Sequence, residues 1–400
     1  MDTSMLLDSW EKVGSNYDDF ARIIADIDAS TRVFPADTSG LTLYAVTGTD
    51  ESGFKMLEYD AAQTVSRNLP KPFHLNESTI IDKGATEDFL GEIKRSRLII
   101  KIGEAIFYTS RSLSRDLGAR ASVSGSGLNS PSPERNAFFM HRYVADPCKA
   151  NIVMRKNKEG TLRKIFAMPS AGYRHIPQVT LLELAEYFGE EMGGIDTQLY
   201  NVNHFISQIW IDFPKQAEDV SRVYKLPDVM IPGVLLETSD TGDCALKVIP
   251  TWRRSSKHTY VRANEYKREH KGSFVLEDVK NKIKESIFSI YTKLPARLCE
   301  LLSIDVPNPG EMLESIFDSI GMEALLKKTR ADSLLTQLKE EIDTTANYTA
   351  YDLVMRLMDL PALFESDKWL REQVEAAAYK APFLDFGKLS KKFAPITLTA

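Results

Sequence analysis

The pattern of apolar and polar positions predicts both strands and helices in the first part of the chain and mostly helices from about residue 295. Short apolar runs bounded by turn residues predict a hairpin over 41–59 and strands at 98–108, 137–144, 152–155, 161–168, 198–202, 205–213, 234–236 and 244–249. Apolar residues at helical spacing predict helices over 1–30, 86–93, 181–192, from about 276, and at 310–328, 331–343, 348–360 and 365–379. The pattern is typical of an α+β fold, with an antiparallel β-meander core, packed helices and a mostly helical C-terminal region.

One stretch rich in glycine, serine and proline, ASVSGSGLNSPSPE, interrupts this pattern from residue 121. Such a composition favours a flexible loop or a boundary between domains. The predicted organisation is therefore an acidic N-terminal α+β region (1–120), a flexible linker or loop (121–136), a central α+β core (137–294) and a helical C-terminal region (295–400).

The composition is that of a soluble globular protein, with 43% hydrophobic and 26% charged residues among 400. No uncharged apolar run is long enough to span a bilayer, and the acidic, amphipathic first residues differ from a secretory leader. The three cysteines, Cys148, Cys244 and Cys299, are widely spaced and odd in number, which favours a reducing cytoplasm over a disulfide framework.

Charge is distributed unevenly around the net value of −6. Residues 1–60 carry 12 acidic and 4 basic side chains, whereas residues 245–271 carry eight basic and two acidic ones. A local excess of positive charge attracts polyanions even when the whole protein is acidic. For an arbitrary run of charges, however, a solvated surface paired with neighbouring carboxylates is the commoner structure.

The basic segment, TWRRSSKHTYVRANEYKREHK, interleaves cations with aromatic rings, as single-strand-binding surfaces do. Its candidate nucleic-acid-binding residues are Trp252, Arg253, Arg254, Lys257, Tyr260, Arg262, Tyr266, Lys267, Arg268 and Lys271. If the chain is extended here, alternate side chains from Tyr260 to Tyr266 share one face, which would offer rings and a guanidinium together. The equally weighted alternative is that the rings fill a core while the cations reach past them to solvent.

Catalytic and metal-binding motifs are absent from the sequence. The six histidines and three cysteines have no metal-ligand spacing, no GxSxG motif occurs, and the triplet at 125–127 lacks the lysine of a phosphate-binding loop. Asp240 and Asp243 could bind a divalent ion, but aspartates in turns more often bond their own backbone. We therefore predict no cofactor and no catalytic residue; a metal-dependent nuclease, supported only by scattered carboxylates, is a minor alternative.

Several segments resemble one family. These are NIVMRKNKEGTLRKIFAMPSAGYRHIPQVTLLELAEYFGEEMG, PGVLLETSDTGDCALKVIP, YKREHKG, TANYTAYDLVMRLMDLPAL and WLREQVEAAAY. Over about 140–380 the chain resembles the phage/plasmid-like proteins catalogued as domain of unknown function 932. It differs at 252–254, where many members have a Cys-Asn pair. The resemblance implies a phage or mobile-element setting, and a β-β-β-α core similar in fold to single-strand annealing proteins.

Together these patterns predict a cytoplasmic protein of phage or mobile-element type, in the host cytoplasm if phage-encoded. It would bind nucleic acid, with single-stranded DNA favoured, and support annealing and recombination without covalent chemistry, as a homo-oligomer. The alternative is a non-enzymatic structural or assembly protein whose basic segment meets the acidic N-terminal region of a neighbouring copy.

Overall fold

The computed structural model describes residues 3–50, 53–59, 72–75, 98–103, 105–110, 113, 149–158, 160, 163–256, 259–343 and 345–391. The predicted helix at 86–93, the linker at 121–136 and the strand at 137–144 lie outside these residues.

The first sheet is antiparallel in every described pairing and has the strand order β1-β10-β11-β12-β13-β14, with β15 also pairing with β13. Its strands are β1 (Glu11–Gly14), β10 (Asp196–Asn203), β11 (Ser207–Asp212), β12 (Met230–Thr238), β13 (Leu246–Arg254), β14 (Tyr260–Arg262) and β15 (Tyr266–Arg268). The meander β10 to β13 matches the strands that the apolar runs predict.

The second sheet has the order β2-β8-β9-β7-β6-β3-β4-β5, and β7 and β9 are its parallel pair among the described strands. Its strands are β2 (Thr31–Asp37), β3 (Leu41–Asp50), β4 (Gly53–Tyr59), β5 (Pro72–Leu75), β6 (Leu98–Ile102), β7 (Ala105–Thr109), β8 (Lys149–Lys156) and β9 (Arg163–Ala167). A separate short pair joins β16 (Asp305–Val306) to β17 (Tyr348–Thr349). The hairpin predicted at 41–59 is present as β3 and β4.

The predicted boundary at 121–136 does not separate two independent sheets. Strand β2 pairs with β8 over seven residues, from Thr31 opposite Arg155 to Asp37 opposite Lys149. Strand β1 likewise pairs with β10 in the first sheet. Residues from 1–120 and from 137–294 therefore contribute strands to both sheets, a long-range pairing that local composition does not reveal.

Three of the described helices lie among the strands, and the others follow the last strand of the first sheet. They are α1 (Tyr17–Ser30), α2 (Thr180–Met192), α3 (Pro214–Tyr224), α4 (Leu276–Ser286), α5 (Ile290–Leu301), α6 (Pro309–Ser319), α7 (Met322–Leu326), α8 (Lys328–Glu340), α9 (Ala350–Met358), α10 (Lys368–Ala378) and α11 (Phe386–Lys391). Helix α2 ends at Gly193 in the left-handed conformation, as the Gly193-Gly194 pair predicts. Helix α9 begins with a capping box between Thr349 and Asp352.

The helix predicted over 1–30 is wrong in its first half. The chain forms a 3₁₀ turn at Thr3–Leu6 and then the edge strand β1 before α1 begins. Asn16 caps α1 by accepting the backbone N–H of Asp19 at 2.9 Å. A Cβ at Gly14 would lie 2.6 Å from the ring of Tyr200, so glycine lets β1 lie close against β10.

One hydrophobic core joins the first sheet to the C-terminal helices. Its buried side chains run from Met5 to Leu389 and include Val234, Leu236 and Val248 on one face of the sheet. A smaller core, containing Ile100, Ile152 and Ile165, belongs to the second sheet. The predicted α+β class is confirmed, and the helical region shares a core with the sheet. Among the described residues, no helix combines the length and apolar character needed to cross a membrane.

Candidate nucleic-acid interface

The basic segment forms one edge of the first sheet. The second half of β13 pairs with β14, placing Arg253 opposite Tyr260, and the first half pairs with β15, placing Val248 opposite Tyr266. Between them the backbone N–H of Ala263 donates to the carbonyl of Pro250 at 2.9 Å. After the end of β13, the basic segment thus forms two short strands rather than one continuous strand.

This break places the predicted aromatic residues on different faces. Tyr260 contacts a small cluster made by Trp210, Leu235 and Ile249 on one face of the sheet. Tyr266 packs instead against the main core on the other face. The prediction that alternate side chains from Tyr260 to Tyr266 share one face is therefore wrong. Residues 263–265 separate two strands that pair with different halves of β13, so the alternation does not continue from one strand to the next.

Trp252 lies inside the protein. Its side chain has 0% exposed surface, and its ring centroid is 6.0 Å from that of Tyr291 within the main core. Tyr260 is half-buried, and burial raises the pKa of its hydroxyl. Two of the three rings predicted to stack with bases thus pack mainly against other side chains, as the alternative interpretation of the sequence stated.

The arginines of the segment form ion pairs with carboxylates from distant parts of the chain. The Nε and Nη2 of Arg253 donate to Oδ2 of Asp212 at 2.8 and 2.5 Å. Arg254 donates to Asp228 and, at 2.5 Å, to Asp359. Asp212 is the last residue of β11, Asp228 precedes β12, and Asp359 follows α9.

Arg262 has the same kind of environment. Its Nε donates to Glu375 of α10, and its Nη2 is 3.5 Å from Glu372 of the same helix. Burial raises the pKa of Glu375 despite the opposing charge of Arg262. The three guanidiniums are therefore mostly enclosed and paired, and the excess positive charge of the sequence segment is largely offset within the fold.

Three of the predicted cations retain solvent exposure. Lys267 and Lys271 are exposed and lie 3.8 and 3.1 Å from the exposed Glu269. Arg268 is half-buried, and its Nη2 donates to the carbonyl of Lys271 at 3.1 Å and to that of Ser273. Lys257 lies outside the described residues.

Sequence reasoning missed a fourth exposed cation beside these three. Arg174 is exposed, and its backbone N–H donates to the carbonyl of His270 at 2.9 Å. We call Arg174, Lys267, Arg268 and Lys271 the exposed basic cluster. The bridge between Tyr173 and Lys271 joins the two chain segments, which lie almost a hundred residues apart and give no sequence signal of their contact.

The sequence also did not reveal a buried polar network between the two sheets. Arg155 and Asp240, both with 0% side-chain exposure, pair at 2.6 Å. The Nη1 of Arg155 lies 2.5 Å from Nδ1 of His204, whose Nε2 lies 2.6 Å from the carbonyl of Leu7. A neutral ring that donates from Nε2 and accepts at Nδ1 satisfies both contacts.

Asp240 holds this network together rather than bonding its own turn. Its carboxylate also accepts the hydroxyl of Thr31 at 3.1 Å, and its carbonyl accepts the hydroxyl of Tyr173 at 2.6 Å. Burial acts to raise the pKa of Asp240, but the charge and hydrogen bond of Arg155 lower it, so the carboxylate is ionised. The network fastens β2 and β8 of the second sheet to the loop that follows β12 of the first.

Two buried groups give the free energy of unfolding opposite dependences on pH. Burial and the charge of Arg155 hold the pKa of His204 well below 6.5, so below that pH only the unfolded chain takes up the proton and stability falls. Burial raises the pKa of Asp212 from 3.8 to about 6, so its contribution to stability is present at low pH and is lost as the pH rises through 6.

Between pH 3.8 and 6 these two effects oppose each other in the wild-type chain. We expect Asp212→Asn to lose stability more steeply than wild type as the pH falls through this window, by up to about 1.4 kcal/mol per pH unit. Urea unfolding at a series of pH values measures the two slopes. Asp219→Asn, at an exposed position, should follow the wild-type curve of stability against pH. If the curve of Asp212→Asn runs parallel to that of wild type, the raised pKa of Asp212 is contradicted.

No family model, curated protein or solved structure matches this chain. The resemblance to the phage/plasmid-like family over 140–380 therefore stays a prediction. Within the described residues, no group of three or more histidine, cysteine, aspartate or glutamate side chains is placed to hold a metal ion.

Proposed function

We propose that the protein is a non-enzymatic nucleic-acid-binding protein of phage or mobile-element type that holds single-stranded DNA through the exposed basic cluster. The observation that supports this most directly is that the backbone bridge between Tyr173 and Lys271 brings Arg174 close to Lys267, Arg268 and Lys271 at the edge of the first sheet. Tyr266, in the same strand as Lys267 and Arg268, packs against the main core but is only half-buried, and we propose that its exposed part stacks with a base.

The pairing of each cation determines which of them is available to a phosphate. Exposed ion pairs contribute only about 0–1 kcal/mol, so Lys267 and Lys271 can exchange Glu269 for a phosphate at little cost. Arg268 donates to neutral carbonyls, so a phosphate would not have to displace a carboxylate from these contacts. Arg253 and Arg262 are excluded, because each would have to leave an ion pair with a buried carboxylate, that of Asp212 or of Glu375.

A cluster of four cations predicts modest, salt-dependent binding. Each phosphate neutralised on a single strand contributes about 0.7 to the slope of log affinity against log salt, so the slope should not exceed about 3 in magnitude. The ten-residue site that the sequence predicts contains seven cations and would give a steeper dependence.

We expect the triple substitution Lys267→Ala, Arg268→Ala and Lys271→Ala to weaken binding of a labelled oligothymidylate by about tenfold or more at low salt, and to reduce the slope by about 2. Fluorescence anisotropy across a salt series measures both. Lys328→Ala, Lys380→Ala and Lys388→Ala remove the same charge from exposed positions of the helical C-terminal region and serve as the matched control. Equal losses in both triple variants, or no binding by wild type at low salt, would refute the proposal.

Self-association is the second part of the proposal, and it also covers the structural or assembly role. The large side chains Trp369 and Leu363 are 65% and 58% exposed on adjacent elements, α10 and the turn before it. Exposed apolar patches mark interaction surfaces more often than random surface does.

We propose the host cytoplasm as the compartment, since Cys244 and Cys299, the described cysteines, are free thiols.

A further inference from the structure

A cleft of about 300 Å³ opens between α3 and the ends of the strands in the first sheet. Its charged lining consists of Asp196, Asp212, Glu218 and Arg253, and Val229 and Ile231 form part of its aliphatic wall. It lies on the face of the sheet opposite the main core and shares no residue with the exposed basic cluster. Its volume is at the lower end of the range for small-molecule sites.

Asp212 is the buried acceptor of this cleft. It is only 2% exposed, and its Oδ2 receives both donated N–H groups of Arg253. Its Oδ1 is buried and has no hydrogen-bond partner among the described residues. Burying a carboxylate oxygen without a donor costs free energy, so a ligand that donates to Oδ1 would recover it.

The other charged groups around Asp212 make the cleft negative. Asp196 lies directly opposite Asp212 in the pairing of β10 with β11, and Glu218 faces the cleft from α3. Against these three carboxylates stands one guanidinium, that of Arg253, which is already bound to Asp212. The lining therefore carries an excess of two negative charges beside an aliphatic surface.

We propose that this cleft binds a small organic cation with a primary ammonium group on a short alkyl chain. The ammonium donates to Oδ1 of Asp212, with Asp196 and Glu218 adding charge attraction, while the chain lies along Val229 and Ile231. An ammonium fits this arrangement better than an anion, because Arg253 is committed to the carboxylate that an anion would have to displace.

The ionisation of Asp212 adds a pH dependence to this binding. Burial and the charge of Asp196 raise the pKa of Asp212 to about 6 despite the opposing contacts of Arg253. Tyr260 of β14 faces the same group, and burial and the charge of Asp212 raise the pKa of its hydroxyl, so it stays neutral. A cation should therefore bind more tightly above pH 6 than below it.

Titration of the full chain with pentylamine, followed by NMR of the protein amides, tests this site. We expect saturable binding that weakens below pH 6, and no saturation with 1-pentanol, which has the same chain without the charge. Asp212→Asn should weaken binding by about tenfold or more, the usual effect of removing a charge-assisted hydrogen bond. Asp219→Asn, on an exposed side of α3, should bind as wild type does.

A second substitution tests the same cleft independently, in case the Asp212→Asn chain does not fold. Val229→Trp leaves every carboxylate intact but fills the cleft from a side chain that is 44% exposed in the wild type, and it should abolish saturation. The proposal is overturned if wild type shows no saturable binding of pentylamine, if 1-pentanol binds equally well, or if a folded Asp212→Asn or Val229→Trp chain binds as wild type does.

Discussion

Replacing Asp240 by asparagine should lower the free energy of unfolding by about 3–5 kcal/mol, one of the two largest effects that we expect from a single substitution here. The change keeps the shape of the side chain but leaves the guanidinium of Arg155 charged and fully enclosed without a counter-ion. Asp240 also accepts a hydrogen bond from the Thr31 hydroxyl, so the substitution weakens a second contact between the two sheets at the same point.

Urea unfolding monitored by circular dichroism measures this loss. Asp219→Asn is the matched control, because its partner Arg222 is 78% exposed and such pairs contribute about 0–1 kcal/mol. Replacing both Arg155 and Asp240 by apolar residues should cost less than Asp240→Asn alone, since no uncompensated charge is left buried. A loss below about 1 kcal/mol for Asp240→Asn would show that the network contributes little to stability.

Trp252→Ala should lower the free energy of unfolding by about 3–5 kcal/mol, the usual cost of truncating a fully buried tryptophan. The ring packs in the main core near Tyr291, and its removal leaves a cavity between the sheet and α5. A role in base stacking would give the opposite result: unchanged stability with weakened binding of single-stranded DNA. The same residue thus separates the two interpretations that the sequence leaves open.

Trp369→Ala is the matched control for Trp252→Ala, because it removes the same side chain from a site that is 65% exposed. It should change stability by no more than about 0.5 kcal/mol. Sedimentation of the same variant reports on self-association, since a lower mass than wild type is expected if copies associate through this surface. Equal destabilisation by both substitutions would contradict the placement of Trp252 in the core.

The local pattern was sufficient for elements whose stability comes from nearby residues. Helix α2 has apolar residues at helical spacing and a glycine pair at its end, and both signals lie within the helix and its cap. The hairpin of β3 and β4 is likewise specified by alternation around one turn. Strand β1 was missed because it is short and exposed along most of its length, and it is held mainly by its pairing with β10, about 190 residues away.

The candidate site depended on contacts that the local pattern does not contain. The carboxylates that pair with Arg253, Arg254 and Arg262 lie from 26 to 113 residues away in the chain. A run of cations looks the same in the sequence whether its partners are phosphates or distant carboxylates. The position of β11 within the sheet and the packing of α10 against it decide that the partners are carboxylates.

The sequence by itself determined the α+β class, the meander of β10 to β13 and the helical C-terminal region, because periodicity and caps are short-range properties of the chain. The tertiary structure alone decided that Trp252 is enclosed, that three arginines are paired, and that Arg174 joins Lys267, Arg268 and Lys271 at the surface. The physical reason is that burial and ion pairing depend on which distant segments pack together, and that packing is a property of the whole chain.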